Sequence, residues 1–230
     1  MIFQVIVLAG GLGTRVRELT KNDMPKVMLP IKGKPFIYYL FKFLKEQGLT
    51  NIILCTGFKK EVIKSYFGDG KIFGLNVIYS EETSPLGTAG AIKNAEKYIY
   101  SPRTFVFNGD TIFNIDIYKL LEFHIAKEAK ISIALKYMSD TARYGKVVFD
   151  SEGSVTKFAE KGNRGKGYVN GGIYIIESEV INKIDKIPSS LENDILPLYI
   201  KKGLYAKPFP SYFVDIGVPE DYEKAKKEFS

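Results

Sequence analysis

The sequence of 230 residues predicts an α/β protein with a mostly parallel central sheet covered by helices. Apolar runs of strand length alternate with segments whose apolar residues recur at helical spacing, and the connecting segments are rich in Gly, Asn and Asp. Gly10, Gly11 and Gly13 stand directly after the first apolar run. In such sheets, ligands bind beyond the carboxyl ends of the strands.

In chain order, Ile2 to Leu8 reads as the first strand, interrupted only by Gln4. Phe36 to Gln47 carries apolar residues at helical spacing, and Gly48 suits the helix end. Asn51 to Thr56 reads as a second, buried strand, Glu61 to Phe67 as a short helix and Val77 to Ser80 as a third strand. Pro85 to Ile92 opens a helix with Gly87 and Thr88 at its start, where small residues would let the helix end sit against a flat ring and offer it backbone donors. Phe105 to Phe107 is an apolar strand ending in Asn108-Gly109-Asp110, and Asp116 to Lys127 an amphipathic helix.

The second half begins with an alternating strand, Ile131 to Tyr137, and Arg143-Tyr144-Gly145 follows it. Two further strands, Lys146 to Phe149 and Val155 to Lys161, form a hairpin through Asp150 to Gly153. Tyr168 to Ile176 reads as a strand broken at Asn170-Gly171-Gly172, where glycine suggests close approach of a ligand. Leu191 to Leu196 starts a helix, Tyr205 to Pro208 and Tyr212 to Val214 are the last strands, and Pro219 to Tyr222 opens a terminal helix. A chain of this length fits one domain, residues 1–230, and can bury a substantial core.

The formal net charge of +7 raises the question of nucleic acid, and the distribution of the lysines decides against it. They are scattered, and the densest basic glycine-rich piece, Lys161 to Gly167, has no interleaved aromatics to stack bases. A polyanionic small substrate accounts for the balance equally well. No run approaches a membrane span and the first residues carry no basic leader pattern, so the expectation is a soluble, cytoplasmic protein. Cys55, the single cysteine, lies in an apolar run and reads as strand filler. His124, the only histidine, reads as a surface or packing residue.

Chemistry concentrates between Val5 and Lys26. Glycines there free the backbone to approach a ligand and turn N–H groups toward an anion, and Arg15, Arg17 and Lys26 add positive charge. The P-loop pattern fails because Thr14-Arg15 follows Gly13 in place of Lys-Ser/Thr. The dinucleotide fingerprint fails because Val16 stands where a third glycine is needed, and the second strand closes without an acid.

The full string, GGLGTR with Leu19-Thr20, Pro25-Lys26, Pro30 and Pro35, resembles the signature of the sugar-1-phosphate nucleotidyltransferases, and within them the guanylyltransferases acting on mannose 1-phosphate and heptose 1-phosphate. The resemblance implies a Rossmann-like three-layer nucleotidyltransferase fold with a mostly parallel mixed central sheet. It also implies transfer of a nucleotidyl group from an NTP, GTP favoured, to a sugar 1-phosphate, with Mg²⁺ as cofactor. Arg15, Lys26 and Asp110 would be catalytic, and Asp110 and Asp215 would hold the metal. Nucleotide would be bound by Leu8, Ala9, Gly10, Gly11, Gly13, Thr14, Glu82, Pro85, Gly87, Thr88 and Asn108. The sugar phosphate would meet Tyr144, Gly145, Glu160, Lys161, Asn170 and Gly171. Glu82 bears on base choice, because an ionised carboxylate can receive the two adjacent donors of guanine, whereas uracil and thymine offer one. A silent, nucleotide-sugar-binding relative should have lost Lys26 or the metal carboxylates, and all are present. Oligomeric state is left open.

Overall fold

The computed structural model describes residues 3–159, 162 and 164–229. Seven strands form the central sheet: β1 (Gln4–Leu8), β2 (Asn51–Thr56), β3 (Asn76–Glu81), β4 (Arg103–Asn108), β5 (Ile131–Met138), β6 (Gly167–Glu177) and β7 (Leu204–Phe209). They lie in the order β7-β5-β6-β4-β1-β2-β3, and β6 alone among them runs against its neighbours. The mostly parallel mixed sheet expected from the sequence is therefore present. From β1 the chain builds outward through β2 and β3, then returns to lay β4 on the other side of β1. That reversal opens a crevice between β1 and β4 at their carboxyl ends.

Alternation along each strand splits the core into two layers. Val5, Val7, Ile52, Leu54, Phe105 and Phe107 pack with the helices Phe36–Glu46 and Ile117–Ala126. Ile6, Ile53, Cys55 and Val106 face the other way, onto the helices Gly87–Asn94 and Ser178–Asn182. The Phe36–Glu46 helix buries Phe36, Ile37, Leu40, Phe41 and Leu44, the stripe its sequence periodicity demands, and Gly48 beyond it takes a φ of 74°. Asp116 caps the Ile117–Ala126 helix by accepting from the N–H groups of Tyr118 (3.1 Å) and Lys119 (3.3 Å).

Several expectations need correction. Tyr168 to Ile176 is not broken: β6 is continuous, and a register shift against β5 between Asn170 and Tyr174 absorbs the glycines. Leu191 to Leu196 is not an ordinary helix start but a π-helical turn, Leu191–Ile195, followed by a 3₁₀ turn, Leu196–Tyr199. Of the two roles expected for His124, surface or packing, the structure shows packing: it is buried, its Nδ1 2.8 Å from Ser132 Oγ and its Nε2 3.0 Å from Glu177 Oε1. Ser132 lies near the start of β5 and Glu177 at the last residue of the antiparallel β6, at the end of the sheet away from the crevice. A two-stranded ladder of Thr111–Phe113 with Phe213–Asp215 had no signal on its first strand, and it shapes the site.

Candidate active site

The glycine loop leaves β1 at Leu8 and is tied down at once. Ala9 N–H donates to Cys55 O (2.8 Å) and Gly109 N–H donates to Leu8 O (2.9 Å), so the neighbouring strands β2 and β4 both anchor its start. Gly13 has a φ of 61°, a left-handed conformation that glycine adopts without cost. A Cβ there would lie 3.2 Å from Lys26 Cβ, so the loop closes over the lysine. Thr14–Val16 and Arg17–Thr20 then wind into a short 3₁₀ turn and a helical turn, leaving Arg15 and Arg17 exposed.

The second strand-end motif is brought to the same place. Asp110 follows β4, and the short ladder sets Asp215 opposite Thr111 while Ile216 N–H donates to Asp110 O at 3.0 Å. Two carboxylates 105 positions apart in sequence thus become neighbours. The Lys26 ammonium is hydrogen-bonded to Asp110 Oδ2. Burial works against charge on both partners, yet the mutual attraction prevails, and Asp110 titrates below the usual carboxylate range while Lys26 titrates above the usual lysine value. Among the described residues no cation is hydrogen-bonded to Asp215, and Lys26 and Arg143 act on it only through space. Burial, reinforced by the charge of Asp110, pushes it up to about 6, even though Gly217 N–H donates to its Oδ1 at 2.7 Å.

Two cavities meet at these groups. One, of about 450 Å³, is lined by every residue expected on the nucleotide side, together with Lys26 and Asp110. The other, of about 630 Å³, is lined by Arg15, Tyr144, Gly145, Asn170 and Asp215. Asn108 borders both. Gly171 lies off the second cavity: a Cβ at this position would come within 2.6 Å of Phe113 Cε1, so packing accounts for the glycine, and Gly172 is the neighbour that faces the space. Glu160 and Lys161 fall outside the described residues.

The helix beginning at Gly87 is tied to a distant segment. Ala89 N–H and Gly90 N–H donate to Ser189 O at 3.0 and 3.3 Å, so two of its first four amides are partnered within the protein, while Gly87 and Thr88 line the first cavity. Gly87 adopts a φ of 75°, and a Cβ there would overlap the Ser189 carbonyl oxygen and lie 2.8 Å from its carbon. Glu82 lines the first cavity, its Oε2 accepting from Leu86 N–H at 3.1 Å, and burial raises its carboxyl above the usual range. Sequence reasoning missed Arg143, Lys146 and Glu192, all on the wall of the second cavity. Arg143 stood in view beside Tyr144 in the Arg-Tyr-Gly triplet. Glu192 carried no local signal.

A crevice at a reversal of strand order, a glycine loop on one strand end and paired carboxylates on the next form a site for handling a nucleoside phosphate beside a second substrate. The chain belongs to the nucleotidyl transferase family, whose model matches residues 4–230. Among individual proteins, it is 41% identical over 228 residues to the D-glycero-α-D-manno-heptose 1-phosphate guanylyltransferase of Aneurinibacillus thermoaerophilus, covering 98% of this chain and 97% of that one. It is 44% identical over 220 residues to the protein of the same name from Campylobacter jejuni, covering 95% and 96%. The crystal structure of HddC from Yersinia pseudotuberculosis complexed with GMP-PN superposes with a TM-score of 0.88 at 38% identity, over 99% of this chain and 100% of that one.

Proposed function

We propose that this protein transfers the guanylyl group of GTP to D-glycero-α-D-manno-heptose 1-phosphate, giving a nucleotide-sugar for surface glycan synthesis and pyrophosphate. The observation that carries the reading is the meeting of two cavities at Lys26, Asp110 and Asp215, with Asn108 on both walls. A nucleoside triphosphate in the first cavity and a sugar phosphate in the second would put their reacting phosphates at that junction. The heptose and the guanine come from the names and contents of the similar proteins, and Glu82 on the nucleotide cavity supports guanine.

In the reaction, an oxygen of the sugar phosphate bonds to the α-phosphorus of GTP, the bond from that phosphorus to the bridging oxygen breaks, and pyrophosphate leaves with the electron pair. The nucleophile is already ionised, so no general base is needed, consistent with a histidine packed at the end of the sheet away from the crevice. Catalysis falls to positioning and charge. Loop amides at Gly10, Gly11 and Gly13 would hold the triphosphate. Arg15 would meet the departing pyrophosphate, and Lys26 would move between Asp110 and phosphate oxygen. Tyr144, Gly145, Asn170 and Lys161 would hold the sugar phosphate, with Glu160 beside them.

The donor set at the junction fits Mg²⁺. Asp110 and Asp215 offer hard carboxylate oxygens side by side, and the charge of Asp215 is only partly offset by Lys26 and Arg143, since burial and Asp110 still raise its pKa. Bound there, Mg²⁺ would supply Lewis-acid stabilisation of phosphate oxygens. Use of GTP would fit a cytoplasmic location. Among the described residues no helix is long and apolar enough to cross a membrane. The test is purified protein with GTP and Mg²⁺ against a panel of sugar 1-phosphates, including mannose, glucose and the heptose, scored by the mass of the nucleotide-sugar. The heptose should give the highest kcat/KM. Product from mannose 1-phosphate in preference would transfer the assignment to that sugar, and no product from any would overturn it.

A further inference from the structure

Glu192 stands on the wall of the second cavity, in the π-helical turn, and is half-buried. Its carboxylate gathers hydroxyl protons from two directions. Thr88 Oγ1 donates to Oε2 at 3.0 Å, and Tyr174 OH donates to Oε1 at 3.1 Å. Ser190 Oγ adds a longer contact to Oε2, 3.3 Å. Thr88 is on the helix that borders the nucleotide cavity, and Tyr174 is on β6.

The directions of these bonds follow from what each group has left to offer. Leu191 N–H donates to Thr88 Oγ1 at 2.7 Å, so the Thr88 hydroxyl accepts there and sends its single proton to Glu192. Asn170 Nδ2 donates to Tyr174 OH at 2.7 Å, so the phenol likewise accepts on one side and donates to Glu192 on the other. Gly172 N–H donates to Asn170 Oδ1 at 3.0 Å. Both ends of the Asn170 amide are pinned, and the pinning at the nitrogen end runs through Tyr174 to the carboxylate. Tyr174 is fully buried, so no water replaces a lost partner without cost. With the amide fixed, the second cavity meets one remaining Nδ2–H donor and one remaining Oδ1 lone pair in set places.

We propose that Glu192 is a positioning residue for sugar discrimination: acting through Tyr174, it fixes the amide orientation of Asn170 and so determines which pattern of sugar hydroxyls the second cavity accepts. Through Thr88 the same carboxylate ties the nucleotide-side helix to the sugar wall. The inference deepens the sugar 1-phosphate reading and rests on it. A glutamine at 192 keeps the size but brings an NH₂ where both neighbours need an acceptor, because at most one of its two ends can receive. Tyr174→Phe cuts the sugar branch alone, and Thr88→Val cuts the nucleotide branch alone.

The experiment measures KM and kcat for GTP and for each of a panel of sugar 1-phosphates differing at single hydroxyls, with wild type, Glu192→Gln, Tyr174→Phe and Thr88→Val. Thermal melting of each variant accompanies the kinetics. Tyr174→Phe should raise KM for the preferred sugar 1-phosphate about tenfold and shrink its preference over the next best sugar at least fivefold, with KM for GTP within twofold of wild type. Glu192→Gln should do the same to the sugar and also raise KM for GTP, the part it shares with Thr88→Val. If Glu192→Gln does not fold, Tyr174→Phe carries the test alone. Sugar preference unchanged in Tyr174→Phe, or kcat lowered equally for every sugar with KM constant, overturns the positioning role while leaving the reaction intact. Absence of product from wild type with every sugar removes the reaction reading, and this inference with it.

Discussion

Replacing Asp215 by Asn should make the metal-free protein more stable at neutral pH while nearly abolishing its turnover. The carboxyl is pushed up to about 6 from the ordinary 3.8 by burial and by the neighbouring charge of Asp110. A carboxyl whose value is raised on folding binds its proton more tightly in the folded state. Its contribution therefore favours folding below pH 3.8 and is lost as the pH climbs from there to about 6. The gap corresponds to on the order of 3 kcal/mol against the folded state once Asp215 is ionised. Asparagine removes the charge and retains an oxygen for Gly217 N–H, which now donates at 2.7 Å, so the hydrogen bond survives. For a chain of this size the gain amounts to roughly 6–12 °C in Tm. The assay is urea or thermal unfolding of both proteins in chelator across pH 4 to 8. The two curves should converge near pH 4 and separate above 6. Added Mg²⁺ should raise the wild-type Tm more than the variant's, because a cation then offsets the buried charge. Turnover should fall at least about a hundredfold, since the metal loses a charged ligand. Equal or lower stability of Asp215→Asn at pH 7.5 would refute the picture of a carboxylate whose charge is disfavoured by burial and by Asp110.

Lys26→Ala should lose activity and also about 2–4 kcal/mol of stability at neutral pH, because it strands Asp110 beside Asp215; Arg17→Ala, at an exposed position, should be mild in both respects, as denaturant titration and turnover would reveal. Asp110→Asn should depress turnover by a factor of about a hundred or more at saturating Mg²⁺, measured by pyrophosphate release, and near-normal activity would remove it from the metal site. Glu82→Gln should lower kcat/KM for GTP about tenfold while leaving UTP use unchanged or raised, the loss of a charge-assisted contact being roughly 1.5–3 kcal/mol. Gly87→Ala should cost about 2 kcal/mol or more in unfolding experiments, because alanine meets both an unfavourable φ and the Ser189 backbone.

The sheet, the glycine loop and the residues that line the first cavity are legible in the sequence. Those features are local: β2 spans Asn51–Thr56 because six consecutive residues suit a buried strand, and the glycines after Leu8 sit where a strand end must place them. A strand-end motif carries its own geometry, so the residues expected around a nucleotide all reach one cavity. Tertiary structure decided what depends on groups distant in the chain. Asp215 becomes a neighbour of Asp110 only when Phe213–Asp215 pairs with Thr111–Phe113, and no spacing encodes that ladder. At Gly87 and Gly171 a Cβ would run into Ser189 and Phe113, contacts that the local sequence does not announce. Glu192, 104 positions from Thr88, enters the site by a hydrogen bond with no trace in its local pattern. Which of two adjacent carboxyls keeps a proton follows from where one lysine comes to rest and how much water each carboxyl loses, and both are properties of the packed molecule.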